Sequence, residues 1–204
     1  MQGKFITLEG IEGSGKSTNL KVIKDIFDQN KIDYVITREP GGGPLGPHLR
    51  KLLLDKDQSI SPSVEMLLMM ADRKDHVDNL IKPNLDKGVW VISDRYLDST
   101  IAYQGGGRQL DINLITSLSA ALKLPSPDFT LLFDLPVDVA LHRAEERSEL
   151  DRFEREPKDF HSRIRDSYLE LASNNHRIRT VDSSKDIESV SMQVEKYLTD
   201  FLNA

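Results

Sequence analysis

The chain has 204 residues, a net charge of −6 and no cysteine, and 38% of its residues are hydrophobic and 29% charged. This length suffices for one domain with a sizeable core, and the composition predicts a soluble globular protein rather than a disordered one. The negative charge disfavours a general nucleic-acid surface, and the lack of cysteine excludes disulfides and cysteine-based metal sites. No apolar run approaches the roughly 18 residues of a membrane span, and no signal-peptide core precedes the first predicted strand. We expect one cytoplasmic domain over residues 1–204, without nucleic-acid or membrane partners.

The first predicted elements enclose a phosphate-binding loop. Residues 4–9 read as a short buried strand, and residues 17–27 have apolar side chains at helical spacing. Between them lies a complete G-x-x-x-x-G-K-S motif, made of Gly10, Ile11, Glu12, Gly13, Ser14, Gly15, Lys16 and Ser17, with Thr18 next. Its glycines let backbone N–H groups point at a triphosphate, while Lys16 can reach the β and γ phosphates and Ser17 can hold Mg²⁺. The alternative is a glycine-rich turn that matches by chance.

Strands and helices alternate along the rest of the chain. Further strands are predicted at residues 33–37, 89–93, 129–135 and 179–182, and each is nearly continuously apolar. Helices are predicted at residues 47–54, 63–87 with a bend or interruption at Pro83, 99–104 with a break at the glycines 105–107, 111–122, 137–147, 160–174 and 187–202. This order predicts an α/β protein of the P-loop NTPase three-layer type, with a five-stranded parallel sheet and helices on both faces.

The residues that follow the predicted strands are unusually polar. They are Arg38 and Glu39, Asp94 and Arg95, Asp134, and Asp182. Ligands of an open parallel sheet collect at the carboxyl ends of its strands, so these side chains should meet the phosphate loop in one crevice. Two arginines there indicate a second bound anion, hence a phosphorylated acceptor. The alternative is that Arg38 and Arg95 are solvated or paired with their neighbours Glu39 and Asp94.

Three carboxylates have candidate roles in this crevice. Asp94 ends an apolar strand and is the preferred residue to hold Mg²⁺ through water. Asp134 is the rival, although Pro136 nearby makes a structural role in a turn equally plausible. Glu12 lies inside the phosphate loop, where bound phosphates would repel it unless it faces a hydroxyl group. The alternative for Glu12 is exposure to solvent.

A charge-dense segment at about residues 143–156 is predicted to form a lid. Its arginines are Arg143, Arg147, Arg152 and Arg155, and six acidic residues are interleaved with them. The variable positions of the phosphate loop hold no arginine, so the guanidinium that stabilises a migrating phosphoryl group must come from elsewhere. Arg147 is the preferred catalytic residue and Arg152 the second choice. The alternative is a solvated helix surface.

Several motifs, in order, resemble the bacterial thymidylate kinase family across essentially the whole chain. They are residues 5–18, TREPGG at 37–42, ADR at 71–73, SDRY at 93–96, STIAYQ at 99–104 followed by GGGR, and ELDRFE at 149–154. The resemblance implies a P-loop nucleoside monophosphate kinase that transfers the γ-phosphoryl group of ATP to dTMP. The products would be ADP and dTDP, for dTTP synthesis. It also implies a requirement for Mg²⁺ and a homodimer.

Position by position, the resemblance assigns roles to individual residues. ATP would be held by residues 10–18 together with Asp182, and Mg²⁺ by Ser17 and Asp94. Arg38 and Arg95 would hold the dTMP phosphate, Glu12 would meet the 3′-hydroxyl, and Tyr103 would crowd the place of a ribose 2′-hydroxyl. The remaining acceptor-binding residues would be Met69, Arg73, Ser99, Thr100 and Gln104, with Arg73, Thr100 and Gln104 at the thymine edge. The catalytic set would be Lys16, Glu12, Arg95, Arg147 and Arg152.

Two positions depart from the family pattern. Met69 stands where a phenylalanine that stacks on thymine is expected, and Gly43 stands where threonine is common. A methionine thioether can still cover a base, whereas composition alone would equally allow Met69 an ordinary core position. Two other functions therefore stand beside that of a dTMP kinase. One is a kinase for another nucleoside monophosphate or a deoxynucleoside, and the other is a nucleotide-dependent switch ATPase. Arg38 and Arg95 favour a phosphorylated acceptor over a bare nucleoside.

Overall fold

A computed structural model describes residues 3–147 and 150–203, apart from the side chain of Arg147. Its centre is one five-stranded parallel sheet in the order β2-β3-β1-β4-β5. The strands are β1 Phe5–Glu9, β2 Tyr34–Arg38, β3 Trp90–Asp94, β4 Phe129–Asp134 and β5 Ile178–Asp182. All five predicted strands are confirmed. The three central strands are largely buried, as expected of a sheet covered on both faces, whereas the edge strand β5 exposes Arg179 and Thr180.

Helices connect the strands. They are α1 Lys16–Gln29, α2 Gly46–Leu54, α3 Pro62–His76, α4 Lys82–Asp86, α5 Leu97–Thr100, α6 Ile112–Ala121, α7 Val137–Arg147, α8 Lys158–Ser173 and α9 Ile187–Leu202. A π-helix at Val77–Ile81 joins α3 to α4, so the predicted interruption occurs just before Pro83. No helix in the described part of the chain is long and apolar enough to cross a membrane.

The predicted helix break at residues 105–107 is wrong. The helix that begins as α5 continues as a π-helix over Ile101–Gly107, and its glycines lie inside it. These glycines permit close packing instead: a Cβ atom on Gly106 would lie 2.7 Å from the Ser167 side chain, and one on Gly107 would lie 2.6 Å from Phe160. Both contacts are with residues of α8, so the absence of side chains at these glycines lets α8 approach the π-helix.

The core divides at the sheet. On one side α1 and α9 pack against the strands through Ile23, Phe27, Val194 and other apolar residues, together with Leu8 and Phe133 of the sheet. On the other side Phe5 and Tyr96 pack edge to face, with ring centroids 4.8 Å apart, within a cluster that includes Ile81. Parallel pairing places Arg38 beside Asp94 and Asp134 beside Asp182, so the polar strand ends share one edge of the sheet.

Candidate active site

A cavity of about 750 Å³ opens at the carboxyl ends of the strands. Its walls come from the phosphate loop, the ends of β2 and β3, α3, the Ile101–Gly107 π-helix, residues 151–154 and the segment after β5. The predicted site residues that line it are Glu12, Gly13, Ser14, Gly15, Lys16, Ser17, Thr18, Arg38, Met69, Arg73, Asp94, Arg95, Ser99, Thr100, Tyr103 and Gln104. Gly10, Ile11, Asp182 and Arg152 are not among the lining residues. The side chain of Arg147 lies outside what the structure describes.

The phosphate loop holds its lysine against the backbone. The Lys16 Nζ atom donates to the carbonyls of Gly10 and Ile11 at 2.9 and 3.0 Å and to Ser14 Oγ at 3.1 Å. Burial, followed by the nearby charge of Arg95, lowers the pKa of Lys16 to about 8. A positive φ of 71° at Gly13 and 87° at Gly15 shapes the turn, which explains why glycine occupies both positions.

Glu12 of the phosphate loop forms an ion pair with Arg95, which follows β3. Arg95 Nη2 donates to Glu12 Oε1 at 2.9 Å, and Tyr103 Oη donates to Glu12 Oε2 at 2.6 Å. Burial opposes ionisation of Glu12, but the charges of Arg95 and Lys16 outweigh it and hold the pKa of Glu12 below its usual value. Glu12 therefore does meet a hydroxyl in this structure, that of a tyrosine. Arg95 is paired with Glu12, not with its sequence neighbour Asp94.

Arg95 is further positioned by a buried network around Glu9. Arg95 Nη1 donates to the Gly10 carbonyl at 2.8 Å and to Tyr168 Oη at 3.2 Å. Glu9 accepts hydrogen bonds from Ser99 Oγ at 2.6 Å and from Tyr168 Oη at 3.0 Å. Burial, followed by the charge of Asp98, raises the pKa of Glu9 to about 7. Sequence reasoning missed Glu9 and Tyr168, because the first reads as a strand end and the second as a helix core position.

A second buried network fixes Arg73. Its Nε donates to Glu39 Oε2 at 2.7 Å, while its Nη atoms donate to Thr100 Oγ1 and the Tyr96 carbonyl, both at 2.8 Å. The other oxygen of Glu39 is 2.8 Å from His76 Nδ1. Glu39 is thus held by Arg73 and His76, which rules out the predicted alternative of a pair between Glu39 and Arg38.

Two arginines face the cavity near β2. The Arg38 side chain is exposed and has no hydrogen-bond or ion-pair partner among the residues that the structure describes. Arg50 of α2 donates from Nη1 to the Pro40 carbonyl at 2.8 Å and also lines the cavity. Burial, followed by the charge of Arg38, lowers the pKa of Arg50. Repulsion between two neighbouring guanidinium groups makes this corner suited to an anion. Arg50 was missed because it lies mid-helix with no strand end to mark it.

The residues available for Mg²⁺ are Ser17 and Asp94. Both line the cavity, the Ser17 side chain is exposed to it, and the buried Asp94 Oδ1 atom has no hydrogen-bond partner in the described parts of the chain. Hydroxyl and carboxylate oxygens are ligands that Mg²⁺ prefers, and this ion is usually held by one or two carboxylates plus phosphates. The set therefore fits Mg²⁺. The rival Asp134 instead accepts two hydrogen bonds from Arg165, at 2.7 and 2.9 Å.

The segment predicted as a lid is partly anchored. Arg152 Nε donates to the Leu53 carbonyl at 2.8 Å and Nη1 to Glu65 Oε2 at 2.6 Å. Phe153 is buried and packs edge to face with Tyr103, with ring centroids 5.8 Å apart. Phe153 is therefore an apolar anchor within this charge-dense segment. Arg143, which sequence reasoning did not select, lines the cavity and donates to the Ser183 carbonyl at 3.0 Å.

Comparison with known proteins identifies the family of this chain. The thymidylate kinase family model matches residues 8–194. A curated thymidylate kinase of Carboxydothermus hydrogenoformans is 49% identical over 97% of this chain and 98% of its own length. One from Ruthia magnifica is 46% identical over 95% of this chain and 96% of its own length. One from a Marinomonas species is 44% identical, with 97% and 95% of the two chains covered.

The chain belongs to the thymidylate kinase family. The resemblance predicted from the sequence motifs is thereby confirmed, and so is the α/β fold with its five-stranded parallel sheet. Within this thymidylate kinase fold, Met69 lines the cavity and is half-buried, so it is not a simple core residue. At Gly43, a Cβ atom would lie 2.8 Å from the backbone nitrogen of His76, so threonine there would require the loop to shift.

Proposed function

We propose that the cavity transfers the γ-phosphoryl group of ATP to dTMP, giving ADP and dTDP. The observation that carries this proposal is that the phosphate loop and a separate group of arginines line one cavity. A triphosphate at Lys16 and an acceptor phosphate at Arg38 and Arg95 would face each other there. Membership of the thymidylate kinase family supports dTMP as the acceptor. A switch ATPase would have no use for a second phosphate site.

On the donor side, we assign ATP to residues 10–18. Lys16 is buried beside the loop carbonyls and would turn its Nζ atom toward the β and γ phosphates, where charge develops during transfer. Ser17 and Asp94 would hold Mg²⁺, which would supply charge compensation for the phosphates when bound. Asp182 is exposed, accepts from the Ser184 backbone nitrogen at 3.1 Å and caps the turn after β5. Any contact of Asp182 with ATP is therefore at the rim.

On the acceptor side, an oxygen of the dTMP phosphate attacks the γ-phosphorus of ATP. The new O–P bond forms as the bond to the β-γ bridging oxygen breaks, and ADP leaves. Arg38 and Arg95 hold the attacking phosphate by charge-assisted hydrogen bonds. Glu12 and Tyr103 meet the deoxyribose, while Met69, Arg73, Thr100 and Gln104 surround the base. Ser99 acts through its hydrogen bond to Glu9 and its contact with Arg95.

A panel of nucleoside monophosphates tests this function. The purified protein with ATP and Mg²⁺ should release ADP with dTMP, much less with dCMP, dGMP or AMP, and only at background without an acceptor. Preference for another monophosphate would support the alternative acceptor. ADP release that ignores every acceptor would support the switch ATPase instead.

Arg38→Ala should weaken dTMP binding without affecting stability. The Arg38 side chain is exposed and unpaired among the described residues, so its removal leaves no buried partner behind. Losing one charge-assisted phosphate contact should weaken dTMP affinity about 10- to 100-fold. Calorimetric titration with dTMP and with ATP, plus thermal unfolding, measures all three quantities. Equal losses for both nucleotides would place Arg38 on the ATP side.

Arg147→Ala should lower kcat by about 10²-fold and leave dTMP affinity nearly unchanged. We propose that residues 143–156 act as a lid within a single kinase domain, and that Arg147 stabilises the migrating phosphoryl group. Arg152→Ala serves as the comparison. Because Arg152 is held by Glu65 and the Leu53 carbonyl, its loss should reduce thermal stability as well as rate. Full kcat in both variants would exclude a catalytic lid.

We also propose that the protein is a homodimer, as the family resemblance implies. We place it in the cytoplasm, where ATP is supplied. Exposed apolar side chains that do not line the cavity occur on three helices: Leu52 of α2, Val64 and Leu67 of α3, and Ile112 and Leu114 of α6. A second copy would cover them. Leu67→Glu should convert the dimer to a monomer in light scattering coupled to size exclusion. Val139→Glu, at an exposed position of α7, is the control that should remain dimeric.

A further inference from the structure

Glu65, which no role above requires, is the most heavily hydrogen-bonded carboxylate near the cavity. It lies in the first turn of α3 and is fully buried. Its Oε1 atom accepts from Gln104 Nε2 at 2.9 Å and from Arg108 Nε at 3.2 Å. Its Oε2 atom accepts from Arg108 Nη2 at 3.1 Å and from Arg152 Nη1 at 2.6 Å. Two guanidinium groups thus compensate its charge, and Gln104 adds a neutral contact.

The contact with Glu65 fixes the orientation of the Gln104 amide. A carboxylate accepts hydrogen bonds but cannot donate them, so the amide nitrogen of Gln104 must face Glu65. The amide oxygen then points away from Glu65. This oxygen accepts no hydrogen bond from any residue in the described ranges, and it is not among the fully enclosed unpaired atoms. Since Gln104 lines the cavity, its oxygen is the atom presented to an acceptor base.

Arg73 lines the same wall and offers only N–H groups. Four of its five N–H groups are used, by Glu39, Thr100, the Tyr96 carbonyl and Met70 Sδ, so one N–H on Nη2 is left to donate. This part of the cavity therefore combines a hydrogen-bond donor with a hydrogen-bond acceptor. A pyrimidine with a ring N–H beside a carbonyl, as in thymine and uracil, matches that pair. Cytosine presents an unprotonated ring nitrogen, which accepts, beside an amino group, which donates. Its acceptor would therefore face the Gln104 oxygen and its donor would face Arg73.

We propose that Glu65 is a positioning residue that sets base selectivity through Gln104. By holding the amide nitrogen, it keeps the amide oxygen toward the base and so favours thymine and uracil over cytosine. The proposal deepens the proposed dTMP kinase function and rests on it. A merely structural Glu65 would fasten Arg152 and Arg108 to α3, and its loss would slow turnover of all acceptors alike.

Glu65→Gln tests the proposal, because it keeps the shape of the side chain and adds a donor. The oxygen of the new amide should stay with Arg152, which makes the shortest contact with Glu65. Its nitrogen then replaces Oε1 and donates to the Gln104 oxygen, which turns the Gln104 amide over. We measure kcat/KM for dUMP and dCMP, which have the same size and differ only at the edge being recognised. The wild-type ratio should be on the order of 10²-fold or more in favour of dUMP, and the variant should lower it at least about tenfold.

Two further variants separate orientation from stability. Arg108→Gln removes one ion pair of Glu65 but leaves its contact with Gln104, so the dUMP to dCMP ratio should stay at the wild-type value. In a Gln104→Leu background, Glu65→Gln should no longer change the ratio, because the amide through which Glu65 acts is gone. A residual effect in that background would overturn the proposal, as would an equal loss for both acceptors in Glu65→Gln alone.

If Glu65→Gln does not fold, titration of the wild-type protein decides. Binding of dUMP at least about 10²-fold tighter than dCMP is expected, and equal binding of the two would overturn the proposed orientation of Gln104. Failure of the underlying function has a different signature. The protein would then form no ADP with dTMP, whatever its preference between dUMP and dCMP in binding.

Discussion

Lys16→Ala should lower turnover by about 10³-fold or more while the protein remains folded. The substitution removes the positive charge beside the β and γ phosphates, where negative charge shifts during transfer. Lys16 also ties the loop to the carbonyls of Gly10 and Ile11, so a modest drop in thermal stability should accompany the loss of rate. Steady-state ADP formation and a thermal unfolding curve measure the two effects.

Lys21→Ala is the matched control, since Lys21 lies exposed on the same helix and does not line the cavity. It should keep wild-type turnover. A pH series adds a second check: the pKa of about 8 means that Lys16 loses its proton as pH rises through 8, so ATP affinity should fall there. Lys16→Ala should remove that dependence. Near-normal turnover in Lys16→Ala would contradict the assignment of the loop.

Arg95→Ala should weaken dTMP binding by about 10²-fold or more and also destabilise the protein. Arg95 differs from Arg38 because it is half-buried and pairs with Glu12, whose side chain is only 14% exposed. Removing the guanidinium leaves that carboxylate without its main partner, which should cost about 3 kcal/mol of folding stability. Calorimetric titration with dTMP and ATP, and denaturant unfolding, give the separate contributions.

The control for Arg95 is Arg179→Ala, an exposed arginine of β5 that does not line the cavity. It should change neither nucleotide affinity. We expect ATP affinity in Arg95→Ala to change much less than dTMP affinity. The reason is that Arg95 contacts Glu12 and Tyr103, which we assign to the binding of dTMP. If ATP binding fell as much as dTMP binding, Arg95 would belong to the donor site or to the general structure.

Local patterns were sufficient to predict the sheet and most of the cavity. Every strand ends in a charged residue at its carboxyl end, and all but β5 are mainly apolar before it, so parallel pairing brings those charged ends together. Arg38, Asp94 and Arg95 reach the cavity for this reason alone. The phosphate loop could be predicted from its own motif alone, because its glycines, Lys16 and Ser17 all lie within residues 10–17.

Contacts between distant helices could not be predicted in the same way. Glu65 and Gln104 are 39 positions apart, and nothing in either neighbourhood indicates that they meet. The glycines at 105–107 are a second example. Their local preference predicts a helix break, but packing against α8 overrides that preference. Phe153 was likewise hidden in a charged segment, because burial of one aromatic ring is not a periodic signal.

Phosphoryl transfer from ATP to dTMP can be measured by following both products of one reaction. The protein, ATP, Mg²⁺ and dTMP are incubated together, and phosphorus NMR measures dTDP and ADP over time, with parallel samples lacking dTMP. We predict that dTDP and ADP form in equal amounts and that neither forms without dTMP. Production of ADP at the same rate in the samples without dTMP, with no dTDP in the complete reaction, would show that the protein hydrolyses ATP and is not a dTMP kinase.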